Sequence, residues 1–263
     1  MKYKFGFIGC GNMGGIILDT VLKKVDGKEI CACDSDVAKT DRVKGFGVTA
    51  VPAKEAAKSS KYLVVGVKPQ AFPCLFDEIK EDISGDTVIV SMAAGKDIAS
   101  IEKLCEGENK VIRIMPNTAA AVGEGVILYT ANKRVDDTEL KEVVDALSPA
   151  GLVDCIDENK IDAAAALSGC GPAFVDLFIE ALADGAVSCG LARDKALLYA
   201  SKTVWGAAKT VYVSGKSPAE LKDQVCSPGG TTIEGVRALE NGGFRSASME
   251  AVIAAYNKTK DLK

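Results

Sequence analysis

Histidine is absent from this chain of 263 residues. Any proton transfer it performs must therefore use a hydroxyl, a carboxylate, Lys, Cys, Tyr or water. The nine cysteines are odd in number and include no C-x-x-C pair, which argues against a disulfide scaffold and, with no histidine, against the common zinc spacings. No metal site is expected. The opening MKYKFGFIG lacks the apolar core of a secretory signal, and no apolar run looks long enough to cross a bilayer. A broad positive field is missing too, since 32 basic against 36 acidic residues leave a formal charge of −4. Neither nucleic acid nor a membrane is an expected partner. Small molecules are, and a reducing cytoplasm is the expected location.

What is present is apolar material, 48% of the residues, enough for a sizeable core in one large domain or two modest ones. Up to about residue 156, the short apolar runs KFGFIG, EICACD, YLVVGV, TVIVSM, KVIRIM and LVDCI alternate with helix-like stretches. Their near-continuous apolar character predicts strands buried on both faces, a doubly wound α/β sheet of Rossmann type. From Glu158 the composition turns alanine-rich and the spacing helical, as in Leu197, Ser201, Val204, Ala208 and Val211. The expected organisation is a dinucleotide-binding domain over 1–157 and an all-helical domain over 158–263. Trp205 and Tyr212 widen the second stripe, which suits an internal core or a subunit interface equally well.

The first strand runs directly into Gly9-x-Gly11-x-x-Gly14. The first glycine permits the tight turn, the second lets backbone approach a pyrophosphate, and the third allows helix and strand to pack closely. Asp34 ends the second strand twenty residues after Gly14, where a carboxylate accepts from the ribose hydroxyls and repels a 2′-phosphate. NADH is therefore favoured over NADPH; as the alternative, Asp34 caps the following helix. Two further strand ends, VVGVKPQ with Lys68 and VSMAAG with Ala93 and Ala94, fall where ligands of open α/β sheets bind.

In VCSPGGTTIEG, Val225 to Gly235, Pro-Gly-Gly precedes Thr231-x-x-Glu234. The pattern predicts a turn entering a helix through a capping box, with backbone N–H groups facing an anion. Upstream, Gly171-Pro172 interrupts a helical pattern and is expected to bend it near Ser168.

Taken in order, GFIGCGNMG, GVKPQ, SMAAG, RIMPNT, ALSGCGPAF, LKDQVCSPGGTTIEG and LENGGFR resemble the pyrroline-5-carboxylate reductase family over essentially the whole chain. The resemblance implies reduction of 1-pyrroline-5-carboxylate to L-proline by NADH or NADPH. It also implies a Rossmann domain followed by a helical domain that dimerises, with dimers often joining into rings. It places Ile8, Gly9, Cys10, Gly11, Asn12, Met13 and Gly14 on the pyrophosphate and Asp34 at the adenosine ribose. Val67, Lys68, Pro69, Met92, Ala93 and Ala94 fall near the nicotinamide. Glu158, Ser227, Gly230, Thr231 and Thr232 fall on the substrate, with Thr232 nearest the ring nitrogen as the catalytic candidate. The anion at the Gly-rich turn is then the substrate carboxylate. Asp34 departs from the small or basic residue that many members carry there.

A β-hydroxyacid dehydrogenase needs a lysine midway along the first long helix of its second domain, and none lies between Lys160 and Lys195. A non-enzymatic dinucleotide-sensing module needs only the first half, and leaves the CSPGGTT turn without a ligand.

Overall fold

The computed structural model describes residues 1–106 and 109–261; the last two residues of the expected second domain lie outside that range. The first part alternates strands and helices: β1 (Tyr3–Ile8), α1 (Asn12–Leu22), β2 (Ile30–Cys33), α2 (Val37–Lys44), β3 (Thr49–Ala50), α3 (Ala53–Ser59), β4 (Ser60–Val65) and α4 (Phe72–Ile79). It continues with β5 (Val88–Ser91), α5 (Ile98–Leu104), β6 (Lys110–Pro116), β7 (Gly125–Ala131), α6 (Asp137–Leu147) and β8 (Gly151–Cys155). Helices follow: α7 (Glu158–Ser168), α8 (Gly171–Ser188), α9 (Arg193–Ser214), α10 (Pro218–Val225), α11 (Thr231–Asn241) and α12 (Phe244–Lys260).

The strands form one eight-stranded sheet in the order β3-β2-β1-β4-β5-β6-β7-β8. Neighbours are parallel except β6 and β7. The apolar strands are explained by their two covered faces. Phe5, Phe7 and Val64 pack with Ile17, Leu18 and Val21 of α1 on one side, while Leu63, Val65 and Ile89 pack with Phe72 and Phe76 of α4 on the other. Two strands were not among those expected. β3 is only two residues long, too short for a periodic signal. β7, GVILYTA, carries β-branched residues between Gly and Asn and so had a readable signal.

The chain divides into two compact units, residues 1–170 with the end of α12 from Ala255, and Gly171–Ala254. Helical composition begins at Glu158, yet α7 stays with the sheet because charged groups on it reach a buried arginine of β6, described below. Within the second unit, α8 and α9 close over Ala183, Ala196 and Ala200, and small side chains bring the helices close. On α9, Leu197, Trp205 and Tyr212 are 41%, 45% and 77% exposed among the described residues.

Contrary to the expectation from sequence, one stretch is long and apolar enough to span a bilayer. Glu158–Ser188 meets the test of length and composition. It consists of two helices, α7 and α8, joined at Gly169–Cys170; the apolar count runs across that junction.

Candidate active site

β1 stands between β2 and β4, the point where strand order reverses and a crevice opens at the carboxyl ends. Gly9 has φ +92°, and a Cβ on it would lie 2.7 Å from the carbonyl carbon of Gly66. A Cβ on Gly14 would lie 1.9 Å from the Gly9 oxygen, so these two glycines are demanded by packing. Gly11 differs, for nothing lies within 4 Å of where its Cβ would be. It is also the N-cap of α1, and no side chain caps that helix. Open space above an uncapped helix start fits a dinucleotide pyrophosphate, whose oxygens the first-turn N–H groups can meet. Ile8, Cys10, Asn12 and Met13 complete this loop. Cys10 is buried, and its thiol is pushed up to about 12 by burial and then by the Asp34 charge; it stays protonated at neutral pH.

Asp34 follows β2. Its Oδ2 accepts from the Cys10 backbone N–H at 2.7 Å, and its Oδ1 accepts from the Asp36 backbone N–H at 2.9 Å. Lys39 Nζ lies 3.4 Å from the same Oδ1. Burial alone would raise the Asp34 pKa, but the hydrogen bonds from Asp36 and Cys10, and then Lys39, outweigh it and hold the carboxyl below its ordinary range. The helix-capping alternative for Asp34 falls to its neighbour: Asp36 is the N-cap of α2, accepting from Ala38 N–H at 3.1 Å. Arg42 turns to α1, where Nη1 donates to both oxygens of Asp19.

Val67 and Pro69 line the end of β4 half-buried, with Lys68 exposed and without an ion-pair partner among the described residues. Beyond β5, Ala93 is buried, Met92 and Ala94 are half-buried, and the Ala93 N–H donates to Ser91 Oγ at 3.3 Å. Thus all the expected dinucleotide residues lie along one edge of the sheet.

Glu158 belongs to this unit as well. Its Oε1 accepts from the Ile98 backbone N–H at 2.7 Å, at the start of α5, and lies 3.7 Å from Arg113 Nη1. One carboxylate oxygen therefore serves the fold. Arg113, which faces Asp162 on the next turn of α7, and Asn117, which donates from Nδ2 to the Ser168 carbonyl at 2.9 Å, were given no role from sequence. The signal existed in KVIRIM, an arginine inside an otherwise apolar strand.

In the second unit, Ser227, Gly230, Thr231 and Thr232 gather at the start of α11. Gly229 takes φ +69°, and the Gly230 N–H donates to the Ser227 carbonyl at 3.0 Å. A Cβ on Gly230 would fall 2.3 Å from Ser227 Oγ. The expected capping box does not form. Gly230 is the N-cap, with no side chain to offer, and Thr231 is already helical; Glu234 instead accepts from Arg237 at 2.6 Å. With its box undone, the turn leaves the first N–H groups of α11 without a side-chain cap. Ser227, Thr231 and Thr232 are exposed.

Comparison with known proteins agrees with this geometry. Residues 158–262 match a family described as pyrroline-5-carboxylate reductase dimerisation, and residues 4–95 match NADP oxidoreductase coenzyme F420-dependent. The chain is 40% identical to pyrroline-5-carboxylate reductase 3 of Danio rerio, over 99% of this chain and 92% of that protein. It is 38% identical to pyrroline-5-carboxylate reductase of Escherichia coli, over 100% and 99%. It superposes with a TM-score of 0.90 and 32% identity on pyrroline carboxylate reductase of Plasmodium falciparum, a structure with NADP bound, covering 100% and 99% of the two chains.

Proposed function

The chain belongs to the pyrroline-5-carboxylate reductase family, and from that premise we propose that it reduces 1-pyrroline-5-carboxylate to L-proline, the last step of proline biosynthesis. The observation that carries this reading is identity of 40% over 99% of the chain, a span that includes both the Gly-rich loop and the Gly229–Gly230 turn.

The residues divide the work. The Gly-rich loop and the uncapped start of α1 hold the pyrophosphate, and Asp34 takes the adenosine ribose. Val67, Pro69, Met92, Ala93 and Ala94 border the nicotinamide end, where exposed Lys68 is available to a phosphate or ribose oxygen. When bound, the dinucleotide supplies a hydride. The start of α11 holds the substrate carboxylate through backbone N–H groups and the hydroxyls of Ser227 and Thr231, with Gly230 keeping the approach clear. Glu158 supports the substrate end through its remaining oxygen. In the substrate, the imine carbon gains a C–H bond as the C=N π pair moves onto nitrogen, which ends with one proton drawn from water. Thr232 orients that nitrogen by a hydrogen bond; a threonine hydroxyl is a poor acid, so the imine takes its proton from the solvent before the hydride arrives. Orientation at both ends of a small ring supplies much of the acceleration.

NADH is the preferred cofactor in this proposal, because the nearly buried Asp34 carboxylate stands where a 2′-phosphate would come. The nine free thiols suit a reducing cytoplasm, and the open apolar stripe on α9 suits a homodimer or larger assembly. Nucleic acid and membranes have no place in it. A β-hydroxyacid dehydrogenase is disfavoured by the lack of a lysine between Lys160 and Lys195, and a sensing module by the unused turn.

Following oxidation of NADH and NADPH separately with chemically prepared pyrroline carboxylate tests the proposal. Turnover with a higher kcat/KM for NADH supports it, and Asp34→Ser should narrow that ratio. Inactivity with both cofactors overturns it.

A further inference from the structure

The Asp34 charge does not stand alone at the end of β2. Lys39, in the first turn of α2, brings Nζ to 3.4 Å from Asp34 Oδ1 and 3.9 Å from Asp36 Oδ2. The pair is asymmetric: the Asp34 side chain is 7% exposed and that of Lys39 is 41% exposed. Asp34 is further fixed by two backbone N–H groups, whereas Lys39 has, among the described residues, these two carboxylates and a long flexible stem. A 2′-phosphate entering beside Asp34 would thus arrive within reach of an ammonium that can swing from one anion to the other.

The other positive features nearby are already committed. Arg42 donates to both oxygens of Asp19, each at 2.9 Å. The start of α2 carries the Asp36 carboxylate, which accepts from the Ala38 N–H and disfavours a second anion there.

The geometry points to Lys39 as the residue that sets how far Asp34 excludes NADPH, by neutralising the carboxylate and offering the 2′-phosphate a charge-assisted hydrogen bond. This rests on the reading that the Gly-rich crevice binds a nicotinamide dinucleotide with its adenosine ribose at Asp34. NADH, with a hydroxyl at the 2′ position, has little to gain from the ammonium. Two opposed charges of unequal exposure should also respond unequally to salt, which screens exposed Lys39 more than nearly buried Asp34.

The test is dinucleotide affinity, by fluorescence titration of NADH and NADPH against the parent chain, Lys39→Met, Lys39→Arg and Arg42→Met. Lys39→Met should weaken NADPH by about ten- to a hundred-fold, the scale of one charge-assisted hydrogen bond. NADH should change by less than about two-fold. Lys39→Arg should restore NADPH, and raising the salt should weaken NADPH more in the parent than in Lys39→Met. Equal loss of both dinucleotides in Lys39→Met, an unchanged ratio, or a shift of the ratio by Arg42→Met in its place overturns the assignment to Lys39. Failure of the parent to bind either dinucleotide overturns the crevice reading itself, and this inference with it.

Discussion

Arg113 on β6 donates from Nη2 to Asp162 Oδ1 on α7 at 2.6 Å, with the arginine side chain 1% exposed and the aspartate 10%. The same guanidinium faces Glu158 one turn earlier, and its Nε has no hydrogen-bond partner among the described residues. Through Glu158 the link extends to the start of α5, just past the β5 strand end assigned to the nicotinamide. A buried pair of this kind adds little net stability over a well-packed apolar pair, but losing one member is costly. It fixes where α7 lies on the sheet.

Arg113→Met should accordingly destabilise the chain by up to about 3–5 kcal/mol, since the buried guanidinium that Asp162 and Glu158 face is lost. Arg113→Met combined with Asp162→Leu should recover most of that loss. Urea unfolding followed in the first unit checks both variants. A single variant as stable as the parent would mean that α7 is held by its apolar contacts alone.

The glycines of the first loop separate packing from binding. A Cβ at Gly14 meets the Gly9 oxygen at 1.9 Å, while one at Gly11 meets nothing within 4 Å. Gly14→Ala should therefore lower the melting temperature. Gly11→Val should leave the apo melting temperature near that of the parent and abolish the extra stabilisation by NADH, which binding confers only where the ligand still fits. Melting curves with and without NADH read both outcomes. Normal NADH stabilisation of Gly11→Val would move the pyrophosphate elsewhere.

Thr232→Ala should lower kcat/KM for pyrroline carboxylate by about 3- to 100-fold, the effect of one lost neutral hydrogen bond or somewhat more. NADH affinity should barely change, and Thr232→Ser should restore most activity. Gly230→Val should be worse, because its Cβ would fall 2.3 Å from Ser227 Oγ and the branched side chain would crowd the anion. Loss of NADH binding with turnover intact at saturating cofactor would assign the turn to the nucleotide or to folding.

Trp205 is 45% exposed, and Lys202 Nζ lies 3.2 Å from its ring centroid. If the stripe it shares with Val204 and Val211 is covered by a second copy, Trp205→Glu places an unpaired charge in that seam. Sedimentation should then show a smaller species than the parent. An intact oligomer would leave the seam to another face.

Much of this protein was legible in its residue order, wherever the controlling interaction is local. Gly9, Gly11 and Gly14 announce a loop because backbone angles and close approach are properties of a few neighbouring residues. The apolar runs announce strands with two covered faces, and Pro228-Gly229-Gly230 announces a turn before a helix. The residue at which a helix starts, the choice of carboxylate that caps it and the contacts between distant residues were not legible. Glu234 looked like half of a capping box, but Gly230 is the N-cap, Thr231 is already helical, and Glu234 accepts from Arg237 one turn on. Asp34 could have been a helix cap until Asp36 filled that role and the loop at Cys10 claimed the vacant carboxylate oxygen. The limit of the first compact unit fell beyond the change in composition because Arg113, 49 residues before Asp162, holds α7 to the sheet. Composition reports the helix that follows Glu158, but which layer that helix joins depends on a buried charge finding its partner, and only the tertiary fold brings the two together.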